Sequence, residues 1–143
     1  MYVMLGIAIN DAVIKTWELK YKYNLLRPVT YIENYISKGF TPILTTPPFP
    51  EFPSGHSVQS GAGTEVLKKF FGNDIVFKDS THAKRTDIDG SPRSFTSLDQ
   101  LSQEVSISRF YGGIHFQFTL DESLKYGKSI GKTIVNQFEV FFP

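Results

Sequence analysis

A chain of 143 residues has the length of one domain, and its 13 Phe and 7 Tyr can fill a sizeable core. The 15 Lys and Arg nearly balance the 14 Asp and Glu, with no basic run, so nothing global points to nucleic acid. The absence of cysteine excludes disulfides and thiolate metal sites and leaves the redox compartment unread.

Residues 2–23 carry helical periodicity. Leu5, Ile9, Ala12, Val13, Thr16 and Trp17 recur at spacings of three and four, and Lys20 continues that face one turn on. The apolar start is broken by Asn10 and Asp11 and is too short to span a bilayer. It also lacks the basic start and small-residue cleavage site of a signal peptide. It reads as a chain that begins partway into a helix, so the expectation is a fragment, the C-terminal part of a larger bundle. If helices are missing, uncovered apolar faces would favour a homo-oligomer.

Pro28 suits the first turn of a second helix with a stripe of Val29, Ile32, Tyr35 and Ile36, ended by Lys38-Gly39. Thr41 to Pro53 holds five prolines and reads as a stiff, extended loop that buries Ile43, Leu44, Phe49 and Phe52. A central helix then starts abruptly at Ser54 and runs to Phe71. Pro53 cannot sit in a helix interior, and Ser54 can cap the new helix. Ser57, Ser60, Gly61, Ala62 and Gly63 make its first half small, which predicts close approach of another helix. Asp74 to Thr96 is polar, with turn signals at Asp89-Gly90 and Ser91-Pro92, and reads as a surface excursion with a short hairpin. His82 belongs to that surface. Leu98 to Tyr111 returns to helix, with Leu98, Leu101, Val105 and Ser108 on one side. After Gly112-Gly113, a last helix runs from about Phe116 to Phe142, with Leu120, Leu124, Gly127, Ile130, Ile134 and Phe138 on one face. The whole predicts a single all-α domain over 1–143, a bundle of four or five helices.

The chemistry concentrates where Pro53-Ser54-Gly55-His56 opens the central helix. A helix start offers free N–H groups and a positive dipole end, which suit an anion, and His56 can move protons there. Three cations stand in unusual places: Lys20 on an apolar face, Arg27 before a proline, Arg109 between a serine and two aromatics. Taken singly, each suits a snorkelling side chain or a surface ion pair. His115 follows the flexible Gly112-Gly113 break, where backbone can approach a ligand closely. A histidine among Ile114, Phe116 and Phe118 also suits an ordinary core residue.

Together the blocks Lys20-x6-Arg27-Pro28, Pro53-Ser54-Gly55-His56 and Ser108-Arg109-x5-His115 resemble a known pattern. It is that of the superfamily of type 2 phosphatidic acid phosphatases, bacterial class A acid phosphatases and vanadium-dependent haloperoxidases. All three blocks occur in the right order and cover most of the chain. The resemblance implies that Lys20, Arg27 and Arg109 clasp the equatorial oxygens of phosphate or vanadate, with further hydrogen bonds from the Ser54 hydroxyl and the Gly55 N–H. It makes His115 the axial ligand of vanadium or the nucleophile towards phosphorus, and His56 the acid–base group opposite. Fixed cations and aligned N–H groups would stabilise such an anion, and the helix start should lower the pKa of His56 while the site is empty. The family often carries Asp four residues after the second histidine, where an acid could orient the ring or neutralise a nearby cation; here Thr119 stands there, with Asp121 two residues on.

Trp17 and Phe49 match aromatics near the halide pocket of chloroperoxidase-like members, though they equally suit a core. The closer resemblance is therefore to that soluble branch, since no span of the lipid phosphatases is visible. It implies vanadate as cofactor, with halide and hydrogen peroxide as small-molecule substrates and hypohalous acid as product. The alternatives are a soluble acid phosphatase that cleaves phosphomonoesters through a phosphohistidine, and an inactive oxyanion-binding remnant. Relatives of this type are commonly exported, which points to a periplasmic or secreted full-length protein.

Overall fold

The computed structural model describes residues 1–141, without the side chain of Phe141; the predicted end of the last helix at Phe142 lies outside them. The elements are α1 (Tyr2–Tyr23), α2 (Pro28–Tyr35), α3 (Gly55–Phe71), β1 (Phe77–Asp79), β2 (Arg93–Phe95), α4 (Leu98–Tyr111) and α5 (Gln117–Phe141). The chain is an all-α bundle, as predicted, with α3 at its centre between α1, α4 and α5.

The glycines explain why α3 and α5 can run so close. A Cβ on Gly127 would stand 2.1 Å from the Val58 carbonyl oxygen, and one on Gly61 would stand 2.8 Å from that of Leu124. On α1 the buried stripe is Met4, Ala8, Ala12, Thr16 and Lys20, a strict four-residue repeat. This corrects the predicted face by one position: Leu5 is only half-buried, and Ile9 and Trp17 are exposed. The small Ala8 and Ala12 admit α3, while the larger residues flank the contact. Val58, Ala62, Val66 and Ile134 complete this core.

Four other local expectations change. Helix α2 ends at Tyr35, earlier than Lys38-Gly39, and Tyr35 and Ile36 are both exposed. Ile43 is 85% exposed, so the proline-rich loop does not bury it. Gly112 and Gly113 open the turn for this loop instead of a ligand: side chains there would collide with Leu44 and Pro42, and the Leu44 N–H donates to the Gly112 carbonyl at 3.0 Å. On α4 the most buried residues are Leu98, Ser102 and Ser106. The excursion does contain a hairpin, with Phe77 opposite Phe95 and Asp79 opposite Arg93, and His82 is exposed on it. Among the described residues no helix is long and apolar enough to cross a membrane.

Candidate functional site

The three sequence blocks meet at one cavity of about 180 Å³. Lys20 reaches it from α1, Arg27 from the turn before α2, Gly55 and His56 from the first turn of α3, Arg109 from the end of α4, and His115 from the α4–α5 junction. Trp17 and Phe49 form part of its wall, with their rings edge to face at 4.9 Å.

The ring of His115 is buried and held at both nitrogens. Its Nε2 lies 3.2 Å from Arg27 Nη1, and its Nδ1 lies 2.7 Å from Glu51 Oε1. A guanidinium can only donate, so Nε2 carries the lone pair and Nδ1 carries the proton. The neutral Nδ1–H tautomer follows, with its basic nitrogen beside the cations of the cavity. Burial lowers the pKa of His115, although Glu51 opposes this, so the neutral ring is the resting state.

Glu51 was not singled out from the sequence. It is fully buried, and its carboxylate accepts from His115 Nδ1, from the Phe116 N–H at 3.1 Å and from Thr119 Oγ1 at 2.8 Å. Glu51 thus supplies the acid expected at position 119, and Thr119 braces that acid from the helix side. Asp121 is exposed and bonds Gln117. The missed signal is a glutamate between Pro50 and Phe52-Pro53, in a loop otherwise without charge.

Lys20 is 2% exposed, and its ammonium donates to the carbonyls of Pro50, Glu51 and Pro53 at 2.9, 3.1 and 2.6 Å. All three of its protons are engaged, so it fastens the loop and lends the cavity a charge. Burial, then Arg27, lowers its pKa to about 8. Arg27 uses Nε on the Phe49 carbonyl at 3.1 Å and Nη1 on the Ile114 carbonyl at 2.7 Å and on His115. Its Nη2 is buried without a partner among the described residues, as is Nε of Arg109. An unpaired buried donor costs about 1–3 kcal/mol, more for a charged group. Three cations against the single carboxylate of Glu51, with guanidinium donors left over, suit a multiply charged oxyanion.

Ser54 caps α3 as predicted, but it is fully buried and not on the cavity wall. Its Oγ accepts from the Ser57 N–H at 3.4 Å and from Ser57 Oγ at 3.0 Å. Ser57 Oγ also lies 2.7 Å from Ser106 Oγ. A hydroxyl has one proton, so if Ser57 donates to Ser54, Ser106 must donate to Ser57, and the proton of Ser54 stays uncommitted. Gly55 does reach the cavity, and its N–H, in the first turn, has no intrahelical partner. His56, like Trp17, is an exposed member of the wall. Partial desolvation, then Arg109, His115 and Lys20, lowers its pKa; the direction is the expected one, but the causes are burial and these groups instead of the helix start.

An all-α bundle that gathers two histidines and three cations around one small cavity is the architecture of the vanadium haloperoxidase superfamily. The chain matches the family model described as VCPO second helical-bundle domain over residues 1–39 and 36–142, and it belongs to that family. It is 32% identical over 101 residues to the vanadium-dependent bromoperoxidase of Ascophyllum nodosum, covering 64% of this chain and 18% of that protein. It is 21% identical over 166 residues to the vanadium chloroperoxidase of Curvularia inaequalis, covering 82% of this chain and 27% of the other. Among solved structures, a bacterial vanadium-dependent iodoperoxidase superposes with a TM-score of 0.88 at 42% identity, over 94% of this chain and 32% of that one. A bacterial vanadium-dependent chloroperoxidase superposes with a TM-score of 0.77 at 20% identity, over 92% of this chain and 34% of the other, which supports the fold alone. The chain therefore spans about a third or less of each of these relatives.

Proposed function

We propose that the chain carries the vanadate site of a haloperoxidase that oxidises a halide with hydrogen peroxide. The observation that carries this reading is the pair of buried, unpartnered guanidinium nitrogens, Arg27 Nη2 and Arg109 Nε, on two arginines that line the same cavity as His115. Oxyanion oxygens would satisfy those donors, and Nε2, whose lone pair now accepts from Arg27 Nη1, is the basic nitrogen that would hold vanadate. The relatives named above are vanadium peroxidases, which favours vanadate over phosphate as the resident anion.

When bound, vanadate supplies a Lewis-acidic centre that activates hydrogen peroxide without changing oxidation state. The chain's residues do the rest. Arg27 and Arg109 hold the oxygens, Lys20 and the N–H of Gly55 add positive potential, and Glu51 keeps His115 in the tautomer that can ligate. Ser54 serves from beneath the wall, by turning its uncommitted proton to an oxygen. His56, exposed and held neutral, takes up a proton when an anion arrives and returns it during turnover. Trp17 and Phe49 form a half-open aromatic wall that suits a weakly hydrated halide.

The test uses one purified sample in two assays. Vanadate, peroxide and bromide, chloride or iodide are supplied with a halogen acceptor; separately, a phosphomonoester is supplied without vanadate. Halogenation that depends on vanadate supports the reading. Phosphate release alone would replace it with the phosphatase. Vanadate binding with silence in both assays would make the chain an oxyanion-binding remnant.

A further inference from the structure

Thr16 stands one helical turn before Lys20 on α1, and each of the two is only 2% exposed. It lines the cavity, and its Cγ2 lies 3.7 Å from where a side chain on Gly55 would begin. Its hydroxyl oxygen is buried without a partner among the described residues. That is unusual for a threonine within a helix, because the hydroxyl ordinarily bonds a carbonyl three or four residues back. Two other threonines of this bundle do so. Thr64 donates to Ser60 at 2.8 Å and lies 3.2 Å from the Gly61 carbonyl, and Thr133 donates to Ser129 at 3.0 Å. Thr16 forgoes that bond on the stretch of α1 that, through Val13, Thr16, Trp17 and Lys20, meets the cavity.

We propose that Thr16 is a neutral member of the oxyanion cradle, whose hydroxyl bonds an oxygen of an oxyanion held there. This rests on the reading of the cavity as an oxyanion site. The chemistry distinguishes Thr16 from its neighbours. Ammonium and guanidinium groups only donate, whereas a hydroxyl donates and accepts. Thr16 is therefore suited to an oxygen that has kept its proton, which three cations serve poorly. A ligand oxygen there would also pair a hydroxyl that the protein leaves unpaired.

The test is calorimetric titration of the chain with orthovanadate and, separately, with inorganic phosphate. The variants are Thr16→Val, which keeps the branched shape, Thr16→Ser, which keeps the hydroxyl, and Arg109→Ala as a control on the cavity. Thr16→Val should weaken both anions by about tenfold, the worth of roughly one hydrogen bond to a charged acceptor. Thr16→Ser should bind as the parent does. Without anion, Thr16→Val should melt at or above the parent temperature, because no bond is lost. If Thr16→Val binds both anions normally while Arg109→Ala does not, the inference fails and the oxyanion reading survives. If Thr16→Val melts well below the parent without anion, the hydroxyl is structural and the inference also fails. If the parent chain binds neither anion, both readings fall.

Discussion

Glu51 and His115 are sixty-four residues apart in the chain, and their side chains meet at 2.7 Å in a fully buried contact. The bond fixes the proton on Nδ1 and turns Nε2 towards Arg27 and the cavity. It also couples the proline-rich loop to the α4–α5 junction, because the same carboxylate holds the Phe116 N–H and Thr119. Removing the carboxylate and replacing it should therefore differ. Glu51→Ala leaves several buried donors unpaired and should cost about 3–5 kcal/mol in urea unfolding, the range for breaking a buried pair. Glu51→Gln can still accept from Nδ1, so the fold should survive. It removes the charge that raises the His115 pKa, so a pH titration followed by NMR should find that pKa lower than in the parent.

Acid should destabilise the fold through the two histidines. The folded-state pKa of His115 and of His56 lies below the ordinary 6.5. The unfolded chain thus binds more protons as the pH falls through about 6.5, and unfolding gains at the expense of the folded state. The stability contributed by their neutral forms is complete above that value and declines below it. Urea midpoints measured at pH 7.5 and pH 5.5 should fall with acid. His56→Gln and His115→Gln should each flatten the difference, and a profile unchanged in both would refute the linkage.

The motif blocks were legible because each is local: a cation one turn along an apolar face, a proline before a capping serine, an arginine six residues before a histidine. Glu51 was not, because its role exists only once a loop and a distant junction are packed together. A lone glutamate among prolines looks like a solvated loop residue. The α1 stripe was misplaced by one position for a related reason. Periodicity favours the bulky Leu5 and Ile9, whereas close packing of α3 selects Ala8 and Ala12. Thr16 belongs to both the predicted face and the observed stripe, and only its missing partner marks it as something other than packing.

Lys20 should give anion binding a pH dependence on the alkaline side. In the free protein its pKa is lowered to about 8, and a bound anion would raise it again. Affinity should therefore fall as the pH rises through the free-state value, where binding must first recharge the amine. Phosphate affinity measured from pH 7 to pH 9.5 should decline more steeply for the parent chain than for Lys20→Met. Comparing the two at each pH cancels the ionisation of phosphate itself. Equal slopes would mean that Lys20 only fastens the loop.

Gly127 is not one of the residues that line the cavity, yet it governs where α3 sits. A Cβ there would stand 2.1 Å from the Val58 carbonyl oxygen and 2.8 Å from the Val58 Cα, and neither is the end of a flexible side chain. Gly127→Ala must push α3 from α5 or strain both, at about 1–3 kcal/mol on the scale of overpacked cores. Val58 is two residues after His56, and its N–H bonds the Ser54 carbonyl at 3.0 Å, so the displacement starts at the helix turn that faces the cavity. Gly127→Ala should therefore lower the melting temperature and weaken vanadate binding together. Gly6→Ala, where a Cβ meets nothing within 4 Å, should raise the melting temperature slightly through helix propensity and leave vanadate binding unchanged. A Gly127→Ala protein that melts early but binds vanadate as the parent does would show that α3 can shift without carrying its first turn.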